Sequence, residues 1–179
     1  MVGAMIKLIA QSVAAPIVLV ALVACGDRAG TSELVLLAGS AEDERGAEHD
    51  RTLSDALAGG ATLEQVVELA AEKYAGGFVP DGSLIQGSVV EGARSDHLAV
   101  LRGGHCYRIV AAGGTGVEDM DLFLYDPEGV QTQQDPGQDR FPVLGLQAEI
   151  CPLRGGAYRL QVHMYKGGGP FAARVYRTP

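Results

Sequence analysis

The sequence predicts an all-β fold, an antiparallel sandwich or barrel, preceded by one short α-helix and a flexible N-terminal tether. Three observations predict it. From Phe78 onward apolar residues recur with a period of two, the alternation of strands with one buried face. Glycine-bearing turns interrupt that alternation at EGARSD, RGGH, GGTG, DPEG, LRGG and KGGG. No helical periodicity separates the strands, so they pair antiparallel rather than through crossover helices.

Taken in order, residues 1–24 carry one positive charge at Lys7 and then an apolar run from Leu8 to Ala24, interrupted by Gln11, Ser12 and Pro16. This is the layout of a secretory signal, too short and too broken for a membrane span. The run ends Leu22-Val23-Ala24-Cys25, which resembles the bacterial lipobox. That resemblance implies cleavage before Cys25, acylation of the cysteine, and a cell-envelope protein whose contact with the membrane is the lipid on Cys25. An uncleaved anchor or an ordinary signal peptide is the alternative.

Residues 25–61 are small and charged, with one apolar cluster at Leu34–Leu37. Too little apolar surface is available there to offset ordering, so an acidic, flexible tether is expected, with a mean reach of roughly 30–35 Å. In the next segment, residues 62–77, Leu63, Val66, Val67, Ala70 and Tyr74 fall on one helical face. Thr62 and Gln65 form a capping box and Gly76-Gly77 the stop. This stripe predicts a helix docked on the domain that follows, or alternatively on a partner.

In residues 78–179 the expected strands are Leu84–Val90, His97–Leu101, Tyr107–Ala111, Met120–Tyr125, Val143–Ile150, Tyr158–Tyr165 and Phe171–Tyr176. With six Tyr, four Phe and no Trp, their core is mainly aliphatic.

The formal charge is −8. Residues 25–75 hold 11 acids against four bases, whereas residues 76–179 hold 11 against nine. The acidity therefore belongs to the N-terminal half, and it argues against nucleic acid and against adhesion to an anionic bilayer.

Three cysteines are odd for an exported chain. With Cys25 lipidated, Cys106 and Cys151 remain as an even pair, which in an oxidising compartment implies one disulfide. A zinc site using those thiols with His97, His105 or His163 is the competing reading, though no CxxC or HxxxH spacing accompanies it.

The acids of VEDMDLFLYDPEG separate by role. Asp126 opens D-P-E-G, a type I turn. Asp119 and Asp121 share one strand face about 6.5–7 Å apart, which leaves two readings: a solvated pair, or two ligands of calcium. Phe123 and Leu124 at the fifth and sixth positions exclude an EF-hand loop. Catalytic patterns are absent: there is no GxSxG or HExxH, and Ser95-Asp96-His97 is expected to alternate across a strand instead of forming a relay.

The runs GSVVEGARSDHLAVLRGGHCYRIVAAG, DMDLFLYDPEG and GGAYRLQVHMYKGGGPFAARVY resemble the bacterial pre-peptidase C-terminal domain over residues 79–178. The match is to a glycine-led strand opening, a D-x-D-L-x-L-x-D-x-x-G segment and a closing G-x-Y-x-L-x-V; His97 departs from it where an aromatic is usual. The resemblance implies a jelly-roll-like sandwich that binds or adheres rather than catalyses, with Asp119 and Asp121 at the positions where some relatives hold calcium. The expected function is thus a lipid-anchored envelope protein presenting a non-catalytic binding module for a protein or carbohydrate partner. The alternative is an assembly subunit docking through helix 63–75.

Overall fold

The computed structural model describes residues 48–135 and 137–179. Helix α1 spans 48–58 and α2 spans Leu63–Tyr74. Nine strands follow: β1 (Val79–Pro80), β2 (Ile85–Val89), β3 (Arg94–Leu101), β4 (Tyr107–Gly113), β5 (Val117–Tyr125), β6 (Gln131–Gln134), β7 (Val143–Leu144), β8 (Gly156–Gly167) and β9 (Gly169–Arg177). They form two antiparallel sheets, β1/β2-β9-β4-β7 and β3-β8-β5-β6. The pairings β2·β9, β3·β8, β4·β7 and β5·β6 are nested, as in one long hairpin rolled into a double sheet, which is the jelly roll.

The hairpin folds back at Asp126-Pro127-Glu128-Gly129. Gly129 N donates to Asp126 O at 2.9 Å, and the Asp126 carboxylate accepts from Val130 N at 2.7 Å. Asp126 is therefore the turn residue that its sequence context predicts.

Between the sheets lie Tyr107, Ile109, Met120, Leu122, Leu124, Leu160, Val162, Met164 and Phe171, all essentially buried. Gly87 is part of this packing. A Cβ there would sit 2.7 Å from the Phe171 ring, so any side chain at this position would displace the ring.

The second face of β4 and β9 is also buried. Val110, Ala112, Ala172 and Tyr176 meet Val66, Val67, Ala70 and Ala71 of α2. The capping box forms, with Gln65 N on Thr62 Oγ1 at 3.2 Å and Thr62 N on Gln65 Oε1 at 2.8 Å. Arg174 of β9 pairs with Glu64 at 2.8 Å and with Glu68, and Arg108 of β4 donates to Tyr74 O at 2.5 Å. The apolar stripe of α2 thus belongs to the domain's own core, which corrects the alternative in which residues 63–75 dock on a separate partner through it.

Three further expectations change. Residues 48–58 are helical where a flexible tether was expected, because Leu53 is fully buried and Ala56 and Leu57 pack beside it. The His49 ring and the Asp50 carboxylate also reach Tyr74, at 5.1 Å between centroids and 3.4 Å respectively. The expected strand Val143–Ile150 is only Val143–Leu144, since Gly145 turns at φ 90°, where a Cβ would sit 2.8 Å from Tyr107 O. The chain returns to pair at Ile150, and Cys151 closes the disulfide to Cys106. That bond excludes the zinc reading of these thiols, and the 45-residue separation it closes is worth about 3–4 kcal/mol in the loop-entropy account. Strands β1 and β6 were not expected, and QTQQ in β6 has no apolar alternation to reveal it.

Replacing Val66 by Asp puts a carboxylate into a site with 0% exposure. The expected loss is about 3 kcal/mol or more, seen as a large drop in the midpoint of denaturant unfolding; an unchanged midpoint would show that α2 does not dock.

Candidate functional site

The helices cover the outer face of one sheet only. On the other, alternation along β3, β8 and β5 turns Leu98, Val100, Arg159, Phe123, Tyr125 and Tyr165 outward together with Asp96, Gln161, His163, Asp119 and Asp121. The registers Asp96↔Gln161↔Phe123 and Leu98↔Arg159↔Tyr125 set these side chains in rows across the sheet.

The rows are pre-packed. The Arg159 guanidinium lies over the Tyr125 ring at 3.8 Å and donates to Asp96 at 3.1 Å. Gln161 donates to the same Asp96 oxygen at 2.8 Å, and this hydrogen bond, followed by Arg159, holds the Asp96 carboxyl below its usual range. The His163 ring sits 4.0 Å from Tyr165 and 6.4 Å from Phe123. Leu98, Val100 and Tyr165 remain 66%, 61% and 50% exposed, so the middle of the face is ordered while its aliphatic edge is open to contact.

One end of this face is acidic. Asp135 and residues 137–141 run beside β5, with Asp135 N on Leu122 O and Met120 N on Asp139 O at 2.9 Å each. Asp135 accepts from Gly137 N at 3.0 Å and Val143 N at 3.3 Å, and Asp139 from Phe141 N at 2.6 Å. This loop brings two more carboxylates to Asp119 and Asp121. Burial, then Asp119, Asp135 and Asp139, push the Asp121 carboxyl up to about 6. Burial is also the first cause raising Asp119 and Asp135.

Both acids of the D-x-D pair therefore lie on the outer face, with Met120, Leu122 and Leu124 inward, a choice that alternation alone left open. Sequence reading missed Asp135, Asp139 and His163 as their neighbours, because only the β5–β8 register and the backbone pairing of Asp135 and Asp139 with β5 bring them near. For calcium the pair is a poor cradle. Asp135 and Asp139 have carboxylate oxygens engaged by backbone N–H groups, and six to eight oxygens are needed. Among the described residues one group of three His, Cys, Asp or Glu donors lies within 4.8 Å, namely Cys106, Glu149 and Cys151, whose sulfurs are already bonded to each other. Cys25 lies outside the described residues.

Ser95 and His97 face inward together, with Oγ and Nε2 2.9 Å apart. Residues two apart share a strand face, so this pair could have been read from the sequence. Asp96 points outward to Arg159 and Gln161, and no relay of the three forms. His97 packs edge-on against Phe171 at 5.4 Å, and burial lowers its pKa, which keeps the ring neutral inside the sandwich.

No protein-family profile matches the chain. Nor does any curated protein match it in sequence. Among solved structures it is similar to Aeromonas hydrophila PliG, a periplasmic inhibitor of g-type lysozyme, at 14% identity and TM-score 0.40, covering 54% of this chain and 85% of that one. That likeness carries no statement about site or partner.

A raised carboxyl is a stability term with a definite sign. A group whose folded pKa, about 6 for Asp121, exceeds its unfolded value stabilises most below the unfolded pKa and loses that contribution as pH rises through the folded one. Asp121→Asn removes the loss at neutral pH. Discounted for partial exposure, the gain is about 1 kcal/mol. With chelator present, the variant is expected to melt about 3 °C above wild type at pH 7 and to lose that advantage by pH 4; equal melting at both pH values would refute the strain.

Proposed function

We propose that the chain is a lipid-anchored cell-envelope protein presenting its β-sandwich as a non-catalytic module of the pre-peptidase C-terminal type. A protein partner docks on the outer face of β3-β8-β5. The observation that carries this reading is the asymmetry of the sandwich: α2 covers one sheet, while the other holds exposed Leu98, Val100 and Tyr165 beside a stacked Arg159–Tyr125 pair. Aromatic and arginine anchors next to aliphatic surface have the composition of protein interface cores. A carbohydrate face has less use for Leu98 and Val100.

The remaining support is compositional. The lipobox-like Leu22–Cys25 supplies attachment, and the Cys106–Cys151 bond suits an oxidising compartment.

Co-purification from detergent extract of the native cells tests the face. Leu98→Asp and Arg159→Ala are each expected to weaken partner retention about 30-fold, the effect of losing about 2 kcal/mol at an anchor. Their melting should stay near wild type, and Glu72→Ala on the exposed side of α2 should change nothing. Retention of the same partner by Leu98→Asp, or its loss in Glu72→Ala, would move the interface away from this sheet.

A further inference from the structure

We infer that Asp119, Asp121 and His163 form a binding site for a divalent transition-metal ion of the zinc class, at the acidic end of the open sheet face. Three observations converge on these residues. Asp121 lies directly across the β5–β8 ladder from His163, and Asp119 projects from the same face two residues along. Asp119 Oδ1, Asp121 Oδ1 and His163 Nδ1 are each buried without a hydrogen-bond partner. His163 is 8% exposed, so the residue is more than nine-tenths buried, and the Tyr165 ring packs 4.0 Å from its own.

The two carboxylate oxygens are acceptors lacking a donor, and His163 Nδ1 is a third in the tautomer whose Nε2 carries the proton. Buried acceptors are normally satisfied, and three from neighbouring residues are jointly suited to a cation. Imidazole nitrogen chooses among cations, because calcium and magnesium take oxygen ligands while two carboxylates with one imidazole suit zinc, cobalt or manganese.

The backbone spacing accommodates such an ion. Cβ atoms directly opposite in an antiparallel pair are about 5 Å apart, and those two along a strand about 6.5–7 Å. An ion about 4 Å from each Cβ then meets donors at about 2.0–2.2 Å. The donors are not all within 4.8 Å of one another, so binding requires side-chain rotation of the aspartates. No hydrogen bond to either Oδ1 opposes that movement. Three protein ligands leave a fourth position open.

The test uses the full chain in detergent, stripped with chelator and titrated with zinc chloride, cobalt chloride and calcium chloride in turn. Zinc is expected to bind at about one equivalent and to raise the melting temperature by a few degrees, and cobalt to develop a d–d absorption band that zinc abolishes. Asp119→Asn, Asp121→Asn and His163→Gln should each weaken zinc at least about tenfold, whereas His105→Gln should bind as wild type. The two Asn variants keep the test sound if His163→Gln does not fold. No zinc binding, zinc binding unchanged in both Asn variants, or a melting shift with calcium and none with zinc would each overturn the site. Partner retention by Leu98→Asp is a separate readout, so this site and the docking face can fail independently.

Discussion

The ladder between β4 and β9 is the constraint on which the rest of the structure depends. Both strands are buried on both faces, and along their middle Ala111 pairs with Ala173 and Ala112 with Ala172. Small side chains on both sides of one ladder allow the opposite sheet to close from one direction and α2 from the other. A larger residue at Ala112 or Ala172 meets the Ala70 and Ala71 side of the helix, where close packing leaves no room for an added methylene. Two arginines of this pair reach α2 and its surroundings, Arg108 to Tyr74 and Glu149 and Arg174 to Glu64 and Glu68. Their stems cover apolar surface and their charges fix the helix axis over the sheet.

From that ladder outward the rolled hairpin is self-consistent. The DPEG turn marks its midpoint, and the two arms wind together until β2 lies on β9 and β3 on β8. The open end is tied where the arms diverge: Cys106 bonds to Cys151, and Cys106 is again met by Thr178, whose Oγ1 accepts its N–H at 3.2 Å and whose N–H donates to its carbonyl at 2.9 Å. The β3–β4 connection, the segment before β8 and the C-terminal strand are thus joined at one corner. Nested pairing also explains why short β7 suffices: Val143 and Leu144 need only fill one edge of β4 before the chain leaves.

What was legible in the sequence follows from how local each signal is. The α2 capping box and the Asp126 turn depend on residues three or four apart and are readable, whereas alternation groups the two rows of β5 without saying which one faces the core. The Cys106–Cys151 pair was readable by counting. Helix α1 was not, because its contribution to the core is one fully buried leucine with two flanking residues, too few to raise a periodic signal above the charged residues around them. Strand β6 forms because β5 offers a partner edge and not because QTQQ favours extension. The site was half legible: Asp119 and Asp121 could be placed on one face, but their neighbours Asp135, Asp139 and His163 arrive through long-range register.

The open sheet face solves a problem that the other sheet solves with helices. Outward residues of a central strand would be expected to be polar and solvated, yet Gln161 and His163 on β8 are each 8% exposed. Neighbouring side chains on the same surface shelter them, with Tyr165 and Phe123 flanking His163 and Arg159 lying flat on Tyr125. A face that covers its own centre in this way stays soluble without a helical layer. Its aromatic and arginine side chains are already held in place before any partner arrives, so less side-chain freedom remains to be lost on binding. The same sheltering strands the carboxylate oxygens of Asp119 and Asp121 away from water, which is why the acidic end of this face, and not its ordered centre, carries the electrostatic strain.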